Sequence, residues 1–192
     1  MSITTPKGKA VYPYINTPST KFNPLGEYSC NIIVSKEDAD AFKAKISEMY
    51  DKEYERECVV QNKPKLKKSP HFPILENEDG DWMIRTKQPA KVESRSGQVY
   101  EFKVNLFDAK GKPIQKGSVN VGGGSVVRCG IEPRFWYNPS IGFGVTLSLK
   151  AVQVIDLVEG NGAGSFDFEE EEGYEAEEFS DEVLDEALGS DF

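Results

Sequence analysis

From Glu159 to Phe192 the chain carries fourteen carboxylates and neither lysine nor arginine. Such a segment repels itself, and its Gly, Ser, Glu and Asp content offers little apolar surface to offset the entropy of ordering. Residues 159–192 are therefore expected to form an acidic, disordered tail, and the fold must be completed by residues 1–158. The formal charge of -9 conceals this division. Residues 1–158 hold all 23 lysines and arginines against 18 acidic residues, a balance of about +5. A basic body beside an acidic tail points to an anionic partner for the body.

Within the body, hydrophobic alternation marks strands. Residues 1–26, rich in Pro, Thr, Asn and Gly, read as an irregular arm with one short extended piece around Val11–Ile15. Tyr28, Cys30, Ile32 and Val34 share one face of a strand over 27–34. Ser35, with Asp38 three residues on, resembles a capping box. It opens a helix whose apolar side is Ala39, Phe42, Ile46 and Met49, expected to run to about Glu57. Residues 63–73, with four lysines and three prolines, read as a basic loop, and 76–81 as an acidic turn. Further strands are expected over 82–87, 99–107 (Tyr100, Phe102, Val104 and Leu106 inward), 126–137 and 145–158. In the last of these the inward set switches near Ala151–Val152, as at a bulge. Five or so strands, one helix and frequent turns predict a mainly β fold, a small five-stranded antiparallel barrel carrying one α-helix.

Several function classes drop out. Cys30, Cys58 and Cys129 show neither metal-ligand spacing nor an even disulfide pattern, which points to a reducing compartment. His71 is the only histidine; it sits between Pro70 and Phe72 in a loop and reads as structural or exposed. With no nucleophile–base pair and no metal cluster the chain is expected not to be an enzyme, and nothing in it calls for a cofactor. No apolar run approaches the roughly 18 residues that suggest a membrane span, and residues 1–9 lack the apolar stretch of a signal peptide. A soluble, intracellular protein with no membrane partner is expected.

The residues that carry chemistry combine cations with aromatics. Binding a single nucleic-acid strand without sequence preference needs positive charge along the phosphates and flat side chains on which bases stack. Arg128 to Tyr137 places Arg128 and Arg134 beside Phe135, Trp136 and Tyr137. Three consecutive aromatics on an alternating strand cannot all face one core, so at least one should face outward. Arg85 and Lys87 share a strand face, with Lys91 and Arg95 following; they read either as a binding face or as a solvated basic one. Tyr12 and Tyr14 either stack on bases or pin the arm to the barrel. The lysine loop 63–68 either gathers phosphate or is simply solvated. Gly122–Gly124 lacks the Lys-Ser/Thr pair and following helix of a phosphate loop, and reads as a close backbone approach. In the tail, Val183, Leu184 and Leu188 have helical spacing that a partner could order.

Several pieces together resemble a known family: Tyr12-Pro-Tyr-Ile15, Asn23-Pro-Leu-Gly-Glu-Tyr28 entering a strand, Asp108-Ala-Lys-Gly-Lys112, Gly122-Gly-Gly-Ser125, Pro133-Arg-Phe-Trp136 and the final strand through Leu157. The tail, ending in Asp191-Phe192, matches as well. In this order they resemble the single-stranded-DNA-binding proteins of short-tailed, T-odd-like bacteriophages. The resemblance implies an OB-fold that binds single-stranded DNA in phage replication, recombination and repair, in the cytoplasm of the infected host. It implies that the tail, through Asp191 and Phe192, contacts a DNA polymerase and a helicase–primase. It also implies that the tail occupies the DNA groove when DNA is absent and supports a homodimer. It places a stacking aromatic near Arg134 or Phe135 and a DNA-binding cation at Lys87 or Arg85; Gln88 or Pro89 stands where the family has a further aromatic. The alternative from another class is an acidic interaction protein, or DNA mimic, that blocks a DNA-binding enzyme. It would have no need of a basic body.

Overall fold

The computed structural model describes residues 2–115 and 117–160; the expected tail beyond residue 160, with Asp191 and Phe192, lies outside the described residues. The strands in chain order are β1 (Ile3–Thr4), β2 (Gly8–Ser19), β3 (Glu27–Val34), β4 (Ile74–Glu76), β5 (Trp82–Ile84), β6 (Lys87–Pro89), β7 (Lys91–Glu93), β8 (Val99–Glu101), β9 (Asn105–Phe107), β10 (Pro113–Ile114), β11 (Val126–Asn138) and β12 (Gly142–Asp156). One helix, α1 (Lys36–Val60), follows β3. The fold is mainly β with a single described helix, as expected.

Five of the strands close a ring. β2 pairs with β3, β3 with β6, β6 with β12, β12 with β11, and β11 returns to β2. The closure is uneven. The β11–β12 ladder gives every residue from Val126 to Asn138 a partner, with two register shifts, whereas β6 meets β12 through one pair, Lys87 opposite Ser148. The sheet is OB-like, and it is not wholly antiparallel: β6 and β9 both run parallel to β12.

Alternation explains what fills the ring. Tyr28, Cys30, Ile32 and Val34 of β3 are buried, as are Phe143, Val145, Leu147 and Leu149 of β12. Past Leu149 the register steps, Ile131 facing Leu149 while Gly130 faces Ala151, so Lys150 is the extra residue of a bulge. The inward set then continues as Val152 and Val154, the switch that the sequence predicts. Cys30 and Cys129 meet inside: their thiol–thiol hydrogen bond and then burial hold Cys30 well above the usual thiol range, so it stays protonated.

The Ser35 hydroxyl caps α1, accepting from the Asp38 N–H at 3.1 Å and donating to the Asp38 carboxylate at 2.8 Å. The buried stripe of α1 is Ala39, Phe42, Ile46 and Tyr50, so Tyr50 takes the place predicted for Met49, and the helix runs three residues beyond Glu57. Tyr50 stands over the end of the ring, 5.0 Å from Phe143 and 6.4 Å from Phe135 between centroids. Its hydroxyl donates to the Phe143 carbonyl at 2.8 Å, and desolvation pushes the phenol above its ordinary range.

Three expectations are corrected. The predicted irregular arm is largely β2, a twelve-residue strand: pairing with β3 overrides the weak strand propensity of its Pro, Thr and Asn residues. The strand expected over 82–87 is two strands, because β5 sits between β3 and β4 while β6 must reach β12. The alternation across 85–88 survives the break: Thr86 and Gln88 are buried, Arg85 and Lys87 exposed. The strand expected over 99–107 also breaks, into β8 and β9. Only Val104 and Leu106 of its expected inward set are buried; Tyr100 stays exposed on the β7–β8 hairpin, where every strand residue is exposed. The Gly122–Gly124 stretch is a close backbone approach: Gly122 donates to the Val158 carbonyl and Gly124 to the Ala10 carbonyl, both at 2.8 Å.

Candidate nucleic-acid interface

Residues facing each other across a ladder share a side of the sheet. Following the register round the ring therefore gives the outer face: Tyr14 opposite Ser29, Ser29 opposite Lys87, Lys87 opposite Ser148 and Ser148 opposite Glu132. Alongside, Thr146 faces Arg134 and Gly144 faces Trp136. The outward residues of β12 here are small (Gly144, Thr146, Ser148), while the inward ones are large. The outer surface is accordingly sunken.

Two adjoining depressions follow, of ≈ 450 Å³ and ≈ 540 Å³. The first is lined by Pro89, Arg134, Phe135 and Ser148, the second by Phe22, Ser29, Asn31, His71, Phe72 and Arg85 among others. Glu27, Lys87, Trp136 and Thr146 line both, so the two form one groove with Trp136 at its waist.

Trp136 is held rather than merely present. Its indole N–H donates to the Thr146 hydroxyl at 3.0 Å. Its six-membered ring lies where a Cβ on Gly144 would stand, with ring atoms 2.3–2.7 Å from that position. Only glycine at 144 leaves room for the ring. The indole is thus fixed on the outer face with groove space beside it.

The three consecutive aromatics separate as alternation requires. Phe135 and Tyr137 pack against the core; the Phe135 ring lies parallel to Phe143, 6.3 Å away with 5° between planes. Phe135 still lines part of the groove, but its ring belongs to the aromatic cluster under α1. Trp136 takes the outward position.

The groove's cations are Arg85, Lys87 and Arg134. Lys87 pairs with the Glu27 carboxylate at 3.2 Å, with much of both side chains in water; such exposed pairs are weak and salt-screened. Arg85 and Arg134 are exposed and have no ion-pair partner among the described residues. Other candidates lie elsewhere. Lys91 pairs with Glu101 at 2.7 Å on the β7–β8 hairpin and lines neither depression. Arg128 precedes Trp136 by eight strand residues, about 26 Å at the usual rise, and its buried Nε has no hydrogen-bond partner among the described residues. Tyr14 joins the outer row, 45 % exposed; Tyr12, 79 % exposed at φ 45°, projects from an irregularity in β2. In the lysine loop, Lys68 reaches Asp51 at 3.3 Å and lies over Tyr54, and Lys67 donates to the Ser140 carbonyl, so both serve the helix and its neighbouring turn.

Sequence reasoning missed Phe22, Asn31, Thr146 and Gly144. The alternation of small and large residues over 142–149 carried the signal for the last two. Phe22 was visible as an apolar residue stranded beside Asn23-Pro24.

A family model described as the single-stranded DNA-binding protein of bacteriophage T7 matches residues 7–157. Among solved structures, gp2.5, a single-stranded DNA-binding protein encoded by bacteriophage T7, is similar over 92 % of this chain and 99 % of its own, with 22 % identity and a TM-score of 0.70. The single-stranded DNA-binding protein of bacteriophage Enc34 is similar over 86 % of this chain and 87 % of its own, at 16 % identity and TM-score 0.59. The same Enc34 protein in complex with single-stranded DNA is similar over 84 % of this chain and 89 % of its own, again at 16 % identity and TM-score 0.59. No curated protein sequence gives a significant match.

Proposed function

Because this chain belongs to the family of the bacteriophage T7 single-stranded DNA-binding protein, we propose that it binds single-stranded DNA along the groove across β3, β6, β11 and β12. The observation that carries the proposal is the fixed, outward ring of Trp136, which lines one groove with the cations Arg85, Lys87 and Arg134. Phosphates lie along Arg85, Lys87 and Arg134, and one base stacks on Trp136. Such contacts read the backbone and the face of a base, not its edge, so little sequence preference follows. The work is binding rather than catalysis, in phage replication and recombination within the host cytoplasm. A DNA mimic would have no use for three cations around an aromatic.

The test is fluorescence anisotropy of a labelled single-stranded oligonucleotide against the full chain, beside its duplex and at two salt concentrations. Tight, salt-sensitive binding that prefers the single strand supports the proposal; absence of binding at low salt overturns it. Each phosphate contact on a single strand contributes about 0.7 to the slope of log affinity against log salt. Arg134→Ala is therefore expected to lower that slope by about 0.7, and an unchanged slope would remove Arg134 from the phosphate path.

The acidic residues beyond 160 act, in the same proposal, as a tethered polyanion that competes for this groove. A short flexible tether gives effective concentrations in the millimolar range. DNA displaces the tail and leaves Asp191 and Phe192 for a polymerase, a helicase–primase or a second copy of the chain. Deleting residues 160–192 is expected to tighten DNA binding, most at low salt. Equal or weaker binding by the truncated chain would rule the competition out.

A further inference from the structure

We propose that Phe22 is a second stacking wall of the groove, so that a nucleobase of the bound strand is taken up in the depression that Phe22 and Trp136 line together. The inference rests on the groove being the DNA site and names a residue that neither the cations nor the Trp136 strand implies.

Phe22 is 90 % exposed, the highest value among the large apolar side chains described. An unformed loop would explain such exposure, but this loop is built. Asn23 caps the turn that follows: its carbonyl accepts from the Gly26 N–H at 2.8 Å, and its side-chain oxygen from the Leu25 N–H at 3.0 Å. Its side-chain amide donates to the Gly26 carbonyl at 3.3 Å, and Gly26 adopts the left-handed φ of 84° that closes the turn. A pinned turn thus holds an apolar ring in water at the edge of the groove. Lys21 lies beside it, Nζ 5.3 Å from the ring centroid, adding a cation at the rim.

The rest of the depression suits a nucleotide. Arg85 and Lys87 supply positive charge, and Ser29, Asn31 and Thr146 supply neutral donors and acceptors. An apolar peptide would meet cations here. An acidic peptide would find charge but no use for two aromatic walls. A nucleobase joined to its phosphate uses both.

The experiment titrates the full chain and its Phe22→Ala, Phe22→Leu and Phe22→Trp variants with labelled oligothymidylate, and with a strand of the same length carrying abasic sites. Each variant's thermal melt is recorded; because the ring is in water, wild-type melting is expected. Phe22→Ala and Phe22→Leu should bind oligothymidylate about tenfold more weakly, within the range for one stacked base, and Phe22→Trp should bind like wild type. The salt slope should not change, and all four proteins should bind the abasic strand alike. Wild-type affinity in Phe22→Ala, while the wild type itself binds, would overturn the inference and leave the groove reading standing. An equal loss on the abasic strand would also overturn it, assigning Phe22 to loop shape. Failure of the wild type to bind either strand would remove the groove reading and this inference with it.

Discussion

Trp136→Ala should weaken single-stranded DNA binding by about 5- to 150-fold, the range that corresponds to roughly 1–3 kcal/mol for one stacked base. The fall belongs almost wholly to the lost ring. No cation is removed, so the slope of affinity against salt should match the wild type. Stability should change little, because the ring lies on the outer face, over Gly144, and outside the core cluster. Trp136→Phe keeps a flat apolar face but loses the bond to Thr146, and should fall between. Anisotropy titration at several salt concentrations, with a urea melt of each variant, checks this. Unchanged affinity in Trp136→Ala would take Trp136 out of the binding site, and a collapse of stability would place it in the core. The same geometry extends to its neighbour: any side chain at 144 must push the indole from its seat.

Phe143→Ala should do the opposite, costing about 3–5 kcal/mol of folding stability while sparing the groove. Phe143 is 2 % exposed and sits where Tyr50, Tyr54 and Phe135 converge. Its removal leaves a cavity that aromatic rings, stiff and mutually packed, cannot collapse to fill. Domains are generally stable by only about 5–15 kcal/mol, so the variant would approach the threshold of folding. Urea denaturation measures the loss. A cost below about 1 kcal/mol would show that α1 repacks over the gap. Phe135→Ala should resemble Phe143→Ala in stability and not Trp136→Ala in binding, which turns the separation of two adjacent aromatics into two distinguishable phenotypes.

Parts of this were legible in the sequence, and the reason differs by element. β3 and β12 announced themselves because each buries one face continuously, and period-two alternation is then imposed by the core. The switch near Ala151 was visible for the same reason, since a bulge exchanges the two faces. The helix followed from its cap and its spacing, yet Met49 was read as core where Tyr50 is. Tyr50 is only partly apolar, and its hydroxyl is satisfied by a carbonyl 93 residues away, which no local pattern reveals. β2 was hidden because its strand character comes from the partner β3, not from its own residues. The candidate site was legible at Arg85, Lys87, Arg134 and the aromatic run. Lys91 and Arg128 looked equivalent to them on paper. What divides them is the path of the chain between β6 and β9, and the length of β11. Phe22 was overlooked because an aromatic outside an alternating run gives no periodic signal at all.

The joint between β6 and β12 consists of one rung, and the rung is Lys87 opposite Ser148. A barrel breathes first where its staves are least tied, and here that place is the groove itself. A strand laid from Lys87 across Ser148 to Arg134 would bridge both lips of the joint from outside, as a hoop closes a cask. Opening the joint would dismantle the surface proposed to grip the strand, and filling that surface would keep the joint shut. Occupancy and closure are then two readings of one equilibrium, in which the cargo does part of the work of holding its carrier together.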